Sequence, residues 1–243
     1  MSAVECSIDL MMVELMRSTT GLDETENLFA ALATEAAACL RCPAMCERTA
    51  VLSNLNGPLT AQVMFIGEAP GRKGADRTRI PFSGDQSGQN LDRYLASIPL
   101  NRDRIFITSA ALCNPRTASG ANRKPTLTEV ANCSDFLRRT IELIDPLVVV
   151  TLGSVALEAL RRLHYHDFIL KKAIGKIHRW NGRLLVPLYH PSPQVLASHR
   201  RESQQLGDYK VVAEAVRKAE TARVRRERDS QERISRERGH PAR

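Results

Sequence analysis

The chain has 243 residues, a net charge of +8 and 43% hydrophobic residues, which is enough for one sizeable hydrophobic core. No apolar run approaches the roughly 20 residues that a membrane-spanning helix needs, and Glu5 and Asp9 interrupt the stretch where a signal peptide would begin. The composition therefore argues against a membrane protein and predicts a soluble protein of the cytoplasm.

The positive charge is concentrated at the C-terminal end. Residues 217–243 hold ten Lys or Arg and five Asp or Glu, a net charge of +5, so the rest of the chain carries only about +3. Such a segment suits nucleic acid, but its low apolar content favours a solvated tail that is disordered or helical. We therefore divide the chain into an N-terminal helical extension at 1–35, a main domain at 36–216 and a basic tail at 217–243.

Short apolar segments and turn-forming residues alternate through the first half of the main domain. The segment at 62–66 predicts a strand, and the Gly-Glu-Ala-Pro-Gly sequence at 67–71 ends it in a tight turn. Apolar residues then recur at helical spacing over 88–98, and a second strand is predicted at 105–108.

The same alternation continues in the second half. Thr126 and Glu129 form a capping box that opens a helix, and Pro146 ends it. The β-branched run at 147–151 predicts a strand buried on both faces, and after one more helix the last strand lies at 184–189. This order predicts a three-layer α/β/α sandwich with a central, mainly parallel sheet.

The most reactive side chains follow the predicted strands directly. In open α/β sheets the functional loops lie beyond the carboxyl ends of the strands. Here those ends carry the turn at 67–71, the segment at 109–113, Leu152-Gly153 and the His-Pro-Ser-Pro sequence at 190–193. We therefore expect a functional site at one edge of the sheet.

Six cysteines occur, at positions 6, 39, 42, 46, 113 and 133. In a reducing compartment, clustered cysteines more often hold a metal or perform redox chemistry than form disulfides. Four thiolates can hold either a [4Fe–4S] cluster or a structural zinc ion, and the spacing alone permits both.

Five motifs between Cys39 and Arg200 occur in a characteristic order. They are Cys39-x2-Cys42 with Arg48 beyond, the turn at 67–71, Pro81-Phe82-Ser83-Gly84 with Ser87-Gly88, Cys113 and Cys133 flanking 122–125, and His190-Pro191-Ser192. Together they resemble the uracil-DNA glycosylase superfamily, most of all its iron–sulfur branch, family 4. Two features depart from that branch. Ser109 stands where family 4 has Asn, and the stretch at 74–88 is similar to the iron–sulfur family 5.

The resemblance implies a DNA-repair glycosylase that hydrolyses the N-glycosidic bond of uracil in DNA, with other deaminated bases as further substrates. It implies a [4Fe–4S] cluster on Cys39, Cys42, Cys113 and Cys133, with zinc as the alternative metal. Cys46 is then a spare thiol, and Cys6 is structural or free. The expected partner is DNA containing uracil or another deaminated base, bound by a monomer in a bacterial-type cytosol near the nucleoid.

Glycosidic cleavage needs a group for water or the sugar cation and a donor for the leaving base, and the resemblance assigns these roles to Glu68 and His190. Phe82 is the candidate for stacking on a flipped base. Ser109 would read the base edge through one rotatable hydroxyl instead of an amide, which should weaken discrimination. The remaining predicted substrate-binding residues are Gly67, Ala69 and Ser192.

Contacts to the DNA backbone are predicted around the same loops. Glycine turns let backbone N–H groups approach phosphates, and a side chain such as Leu196 could fill the vacated base stack. The predicted DNA-binding residues are Gly84, Ser87, Gly88, Arg123, Leu196 and Arg200. For the segment around Leu196 and Arg200, an ordinary surface helix start is an equally good interpretation.

Two other classes of function stay open at this point. One is a non-catalytic iron–sulfur protein that binds uracil or damaged DNA, which the unusual Ser109 keeps open. The other is an iron–sulfur or zinc structural protein that binds nucleic acid through its basic tail. Glu68 and His190 at strand ends argue against the second, because a scaffold needs neither.

Overall fold

A computed structural model describes residues 22–45 and 47–238, with side chains described as far as Arg233. The predictions for Cys6 and Cys46, and for the beginning of the chain up to residue 21, lie outside the described residues. In the described part, no helix is both long and apolar enough to cross a membrane.

A five-stranded sheet forms the centre of the molecule. The strands are β1 (Val63–Gly67), β2 (Ile105–Ser109), β3 (Val148–Leu152), β4 (His178–Trp180) and β5 (Arg183–Leu188). Their order in the sheet is β2-β1-β3-β5-β4, and every pairing is parallel except that of β4 with β5. The mainly parallel sheet is therefore confirmed.

Eight α-helices lie in the described part of the chain. They are α1 (22–37), α2 (Ala75–Thr78), α3 (Gln86–Ala96), α4 (Leu127–Ile144), α5 (Ser154–Leu163), α6 (Leu170–Ala173), α7 (Pro193–Ser198) and α8 (Glu202–Arg238). The predicted capping box is present, since the Thr126 side chain accepts from the Glu129 N–H and the Glu129 side chain accepts from the Thr126 N–H.

Helices cover both faces of the sheet and create two cores. Met64 and Ile66 point into a core with α1, α4 and α5, whereas Val63 and Phe65 point into a core with α3 and α8. This alternation follows from the two-residue period of a strand, and it requires apolar residues at every position because both faces are covered. The predicted three-layer α/β/α sandwich is thereby confirmed.

The edge strand β4 was not predicted. Asn181 and Gly182 join it to β5, and both have positive φ angles, 44° and 76°, as a two-residue hairpin of type I′ requires. Trp180 anchors the strand, because its ring is buried and its Nε1–H donates to the His164 carbonyl at 3.0 Å. The Asn-Gly pair was therefore the sequence signal for this hairpin.

Helix α8 runs without a break across the predicted boundary at 217. Its first part buries Tyr209, Val212 and Ala215 against the sheet, whereas all described side chains from residue 221 onward are exposed. Of the two conformations allowed for the tail, its described part adopts the helical one. The extents of the three predicted units stay a prediction.

Candidate active site

A cavity of about 420 Å³ opens at the carboxyl ends of β1, β2 and β5. Eight of the predicted site residues line it, namely Glu68, Ala69, Phe82, Ser87, Ser109, Arg123, His190 and Ser192. A larger cavity of about 690 Å³ lies beside α1, but the described residues that line it are mainly apolar and include a single ionisable side chain, Glu26. The polar chemistry of the smaller cavity, not its size, makes it the candidate site.

One wall of the cavity is the turn that follows β1. The carbonyl groups of Gly67 and Glu68 accept hydrogen bonds from the N–H groups of Ala110 and Ala111, at 2.9 and 3.0 Å. These bonds hold the turn against the loop that follows β2. Burial raises the pKa of the Glu68 carboxyl above its ordinary value, and the positive charge of Lys124 opposes part of that shift.

A pair of asparagines supports this wall. Asn122 belongs to one of the sequence motifs, but the sequence pattern gave neither asparagine this structural role. The buried Asn114 donates through Nδ2 to the Pro70 carbonyl at 2.6 Å and to Asn122 Oδ1 at 3.1 Å. The same Asn122 oxygen accepts the backbone N–H of Arg72 at 3.0 Å. The loop at 114–122 therefore fixes the turn that carries Glu68. Asparagine is common in loops, so only the burial of Asn114 reveals this role.

Phe82 lies between the two walls in an unusual backbone conformation, with φ at +51°. Arg102 holds it there, because its guanidinium donates to the carbonyls of Pro81 at 2.9 Å and Phe82 at 2.5 Å, and to Asp92 at 2.7 Å. A Cβ on Gly88 would lie only 2.1 Å from the Phe82 carbonyl oxygen. Gly88 thus lets α3 pack directly on the backbone of the Phe82 loop.

The opposite wall carries His190 at the end of β5. Its ring centroid lies 5.3 Å from that of Phe82, with the two planes tilted by 36°. The ring keeps some surface open to the cavity, yet burial lowers its pKa to about 4, against a smaller opposing effect of Asp85. His190 is therefore neutral at neutral pH, and it can donate a hydrogen bond without carrying a charge.

Helices fix the chain around His190. The buried Asn90 of α3 donates through Nδ2 to the Pro191 carbonyl at 2.8 Å. Ser192 caps α7, because its hydroxyl accepts the Val195 N–H at 3.4 Å, and Pro193 occupies the first turn of that helix. The middle of α3 and the N-terminus of α7 thereby hold the turn after β5.

Ser109 and Gly67 lie side by side at the ends of neighbouring strands. They are partners in the register of β1 and β2, and Ser109 reaches the cavity. A Cβ on Gly67 would lie 3.0 Å from the Phe82 ring and 3.5 Å from the Ser109 hydroxyl oxygen. Gly67 therefore leaves room for the Phe82 ring.

The predicted DNA-binding residues have mixed positions. Arg123 forms two hydrogen bonds to Glu129, at 2.7 and 2.6 Å, and this pairing lowers the pKa of Glu129 to about 2. Arg200 binds Asp208 in the same two-pronged way, at 2.9 and 2.6 Å. Both guanidinium groups are thus engaged inside the fold.

The other predicted DNA-binding residues lie near the mouth of the cavity. Gly84 lies in the loop before α3 and has a positive φ of 87°. Ser87 lies in the first turn of α3 and lines the cavity. Leu196 is half-buried on α7. That these residues contact DNA stays a prediction.

The four predicted metal ligands come from three separate segments. Cys39 and Cys42 follow α1, Cys113 lies in the loop after β2, and Cys133 lies on α4; none of them forms a disulfide. The pKa of Cys113 is raised to about 12, mainly by burial and to a smaller extent by the nearby thiols of Cys133, Cys39 and Cys42. The four sulfurs are therefore near enough to influence one another.

Within the described residues, no three Cys, His, Asp or Glu side chains already lie at the spacing of a formed metal site. The donor set is nevertheless all sulfur, which suits iron–sulfur clusters or zinc and not magnesium or calcium. Asn132 also donates through Nδ2 to Cys42 Sγ at 3.4 Å, a contact typical of thiolate ligands. These residues fit a four-thiolate group.

Comparison with known proteins extends the resemblance. The family model that describes the uracil DNA glycosylase superfamily matches residues 56–210 of this chain. The type-4 uracil-DNA glycosylase of Archaeoglobus fulgidus is 35% identical over 159 residues, covering 63% of this chain and 76% of that protein. The type-4 enzyme of Thermotoga maritima is 32% identical over 184 residues, covering 75% and 88%. The type-5 enzyme of Pyrobaculum aerophilum is 35% identical over 150 residues, covering 56% and 64%.

Fold and site together define an α/β protein with a polar cavity at the carboxyl edge of a mainly parallel sheet. The chain belongs to the uracil DNA glycosylase superfamily. Relatives named type 4 and type 5 both match it, in agreement with the mixed motifs of its sequence.

Proposed function

We propose that this protein is a DNA-repair glycosylase that hydrolyses the N-glycosidic bond of uracil in DNA and leaves an abasic site. The observation that carries the proposal is the shared cavity, in which Glu68 and His190 stand on opposite walls with Phe82 between them. The names of the relatives, type-4 and type-5 uracil-DNA glycosylase, support the same reaction.

Substrate binding places the base against Phe82. A base must leave the duplex before a glycosylase can reach its glycosidic bond, and stacking on an aromatic ring offsets part of that cost. The hydroxyl of Ser109 then contacts the edge of the base, together with the backbone of Gly67 and Ala69. Because a hydroxyl rotates freely, we propose that this site also accepts other deaminated bases.

Glu68 acts on the water. The reaction forms a bond between the water oxygen and C1′ of the sugar and breaks the bond between C1′ and N1 of uracil. An ionised Glu68 orients the water, accepts its proton and stabilises the positive charge that develops on the sugar. Burial opposes the ionised form of this carboxyl, and the nearby positive charge of Lys124 favours it.

His190 acts on the leaving base. The electron pair of the broken bond stays on uracil and places negative charge on its O2. A neutral His190 donates a hydrogen bond to that oxygen, with no need to transfer a proton. Its pKa of about 4 supports this assignment, since a neutral ring is the main species at neutral pH.

Backbone contacts surround the cavity mouth. Gly84, Ser87 and Ser192 offer N–H or hydroxyl groups for phosphates, and Leu196 of α7 is the candidate for filling the vacated stack. Gly88 is buried and donates its N–H to Asp85 Oδ1 at 3.0 Å, so it would shape this loop instead of binding phosphate. Arg123 and Arg200 would contribute charge while they remain paired with their carboxylates. Every residue of this mechanism belongs to one chain, and we also propose that the protein acts as a monomer on DNA and works in the cytoplasm.

We also propose that Cys39, Cys42, Cys113 and Cys133 hold a [4Fe–4S] cluster. When bound, the cluster would supply a rigid tie between the segment after α1, the loop after β2 and helix α4. The all-thiol donor set fits either metal, and the resemblance to the type-4 and type-5 enzymes favours iron–sulfur over zinc. Anaerobically purified protein should be brown and contain about four irons per chain; stoichiometric zinc without iron would contradict the assignment.

The activity test uses an oligonucleotide with a single uracil. After incubation with the protein, alkali cleaves abasic sites, so strand breaks at the uracil position measure glycosylase action. The same oligonucleotide with thymine is the control for substrate, and hypoxanthine and xanthine test the wider specificity. If no deaminated base is released, the protein is a binding protein, and retention of uracil-containing DNA would identify it as such.

A further inference from the structure

A second groove, of about 430 Å³, lies at the opposite end of the sheet from the candidate active site. It runs between the β4–β5 hairpin and the second half of α8. Leu147, directly before β3, and Leu184, near the beginning of β5, place it at the amino ends of the strands. Strands of five residues separate the two ends by roughly 15 Å.

The rim of this groove is strongly basic. Five cationic side chains line it, namely Arg179, Arg183, Lys218, Arg223 and Arg226. Among the described residues no Asp or Glu lines it, and Arg179 and Arg226 pair with no described carboxylate. The other three have carboxylate partners that lie outside the groove: Asp145 for Arg183, Glu214 for Lys218 and Glu227 for Arg223.

Helix α8 supplies most of these charges from one face. Lys218, Ala219, Ala222, Arg223 and Arg226 recur at intervals of three and four, so they share the side that faces the hairpin. The helix therefore presents cations at both margins of this stripe, with two alanines between them.

The floor of the groove is apolar. Leu147, Leu184, Ala219 and Ala222 form it together with the edge of Trp180. The Trp180 ring is only 4% exposed, and its N–H is already donated to a backbone carbonyl. The ring is thus unable to stack on a nucleotide base.

We propose that this groove binds an acidic peptide segment of a partner protein, with an apolar side chain on the floor and carboxylates on the Arg and Lys rim. Charge complementarity selects an acidic ligand. The apolar floor and the absence of an exposed aromatic ring favour a peptide over nucleic acid, whose phosphates gain nothing from burying alanine and leucine.

The test is fluorescence anisotropy with a short fluorescein-labelled probe peptide of Glu residues with two central Leu residues. Two matched peptides replace Glu by Gln or Leu by Gly, and uracil-free single- and double-stranded DNA serve as competitors. The full-length protein is compared with the double variant Arg179→Glu/Arg226→Glu. The control is Arg217→Glu/Arg228→Glu, which makes the same change in net charge on the other face of α8.

The proposal requires that the acidic peptide binds, that either matched peptide binds at least about tenfold more weakly, and that the groove variant loses about tenfold or more in affinity. The control variant should retain the affinity of the wild type, and uracil release by both variants should be unchanged. Equal loss in both double variants would reduce the effect to net charge and overturn the proposal. Absence of peptide binding would also overturn the proposal. If uracil-free DNA displaces the peptide, the groove is a nucleic-acid site and the proposal is likewise overturned.

Discussion

The two walls of the cavity rest on different parts of the fold. The Glu68 wall is a turn held by loop residues, chiefly Asn114 and Asn122, whereas the His190 wall is held by helices through Asn90 and the cap of α7. Burial shifts the pKa values of Glu68 and His190 in opposite directions, but in both cases it favours the uncharged form. It raises the pKa of the acid and lowers that of the imidazole, because both neutral forms are favoured.

The difference between the walls explains a division of labour. The mechanism requires ionised Glu68, a form that burial opposes and the positive charge of Lys124 favours, while burial keeps His190 neutral at neutral pH. One wall then offers a negative charge to the sugar and the other a neutral hydrogen-bond donor to the base.

The largest expected effect comes from removing either reactive group. Glu68→Gln and His190→Gln should each lower single-turnover release of uracil by roughly 10²-fold or more, because each acts on charge that exists only in the transition state. Affinity for uracil-containing DNA, measured by anisotropy, should change little. The matched controls Glu158→Gln and His199→Gln lie outside the cavity and should cleave like the wild type. Full activity in both site variants would remove the cavity from the mechanism.

A second experiment separates the two walls. Asn114→Ala leaves the Pro70 carbonyl without its donor, and Asn90→Ala does the same to the Pro191 carbonyl. Each should lower the free energy of unfolding by about 1–3 kcal/mol, measured by urea denaturation. Each should also slow cleavage, by about tenfold.

The comparison becomes sharper in double variants. The effect of Asn114→Ala on cleavage should disappear in a Glu68→Gln background, and that of Asn90→Ala in a His190→Gln background. Additive effects in both pairs would mean that the asparagines do not act through these two groups.

Sequence patterns predicted the parts of the molecule that depend on neighbouring residues. Strand alternation, the Thr126 capping box and the placement of Glu68 and His190 at strand ends all follow from local spacing, and the structure contains each of them. The β4 hairpin was missed because its three residues are too short for a periodic signal, although Asn181-Gly182 marks its turn.

Contacts between residues that are distant in the chain could not be predicted from the sequence. Arg102 binds the carbonyls of the Phe82 loop, which lie about twenty positions earlier, and Asn90 binds Pro191 from another layer of the fold. Arg123 was predicted to contact DNA from its place in a motif, but its bond to the capping carboxylate of Glu129 depends on the folded loop. Such pairings require the three-dimensional arrangement of the chain.

Substitution of Ser109 should have a smaller effect on cleavage than substitution of Glu68 or His190. Ser109→Asn places an amide where one hydroxyl now reaches the cavity, so it should fix the donor and acceptor pattern offered to the base. The ratio of cleavage rates for uracil over hypoxanthine and xanthine should rise, by about tenfold. An unchanged ratio would place the base edge away from Ser109.

The smallest effect concerns the far end of α8. Deleting residues 221–243 removes only exposed side chains from the described part of the helix and leaves Tyr209 and Val212 in the core. Cleavage of short uracil oligonucleotides should stay within about twofold of the wild type, with a modest loss of salt-sensitive DNA affinity. A truncated protein that no longer unfolds cooperatively in urea would show that the tail stabilises the domain.

The most direct test of the division of labour is the pH dependence of single-turnover uracil release. Glu68 must be ionised to act, so activity should rise with pH through its raised pKa, above the ordinary 4.5, and then stay level. His190 gains its proton only near pH 4, so it should add no second step near neutrality. Glu68→Gln should remove the step that belongs to the carboxyl and leave low cleavage that does not change with pH above the range where His190 titrates. A fall in activity above about pH 6.5, where an ordinary histidine titrates, or the same step retained in Glu68→Gln above that range, would contradict the account.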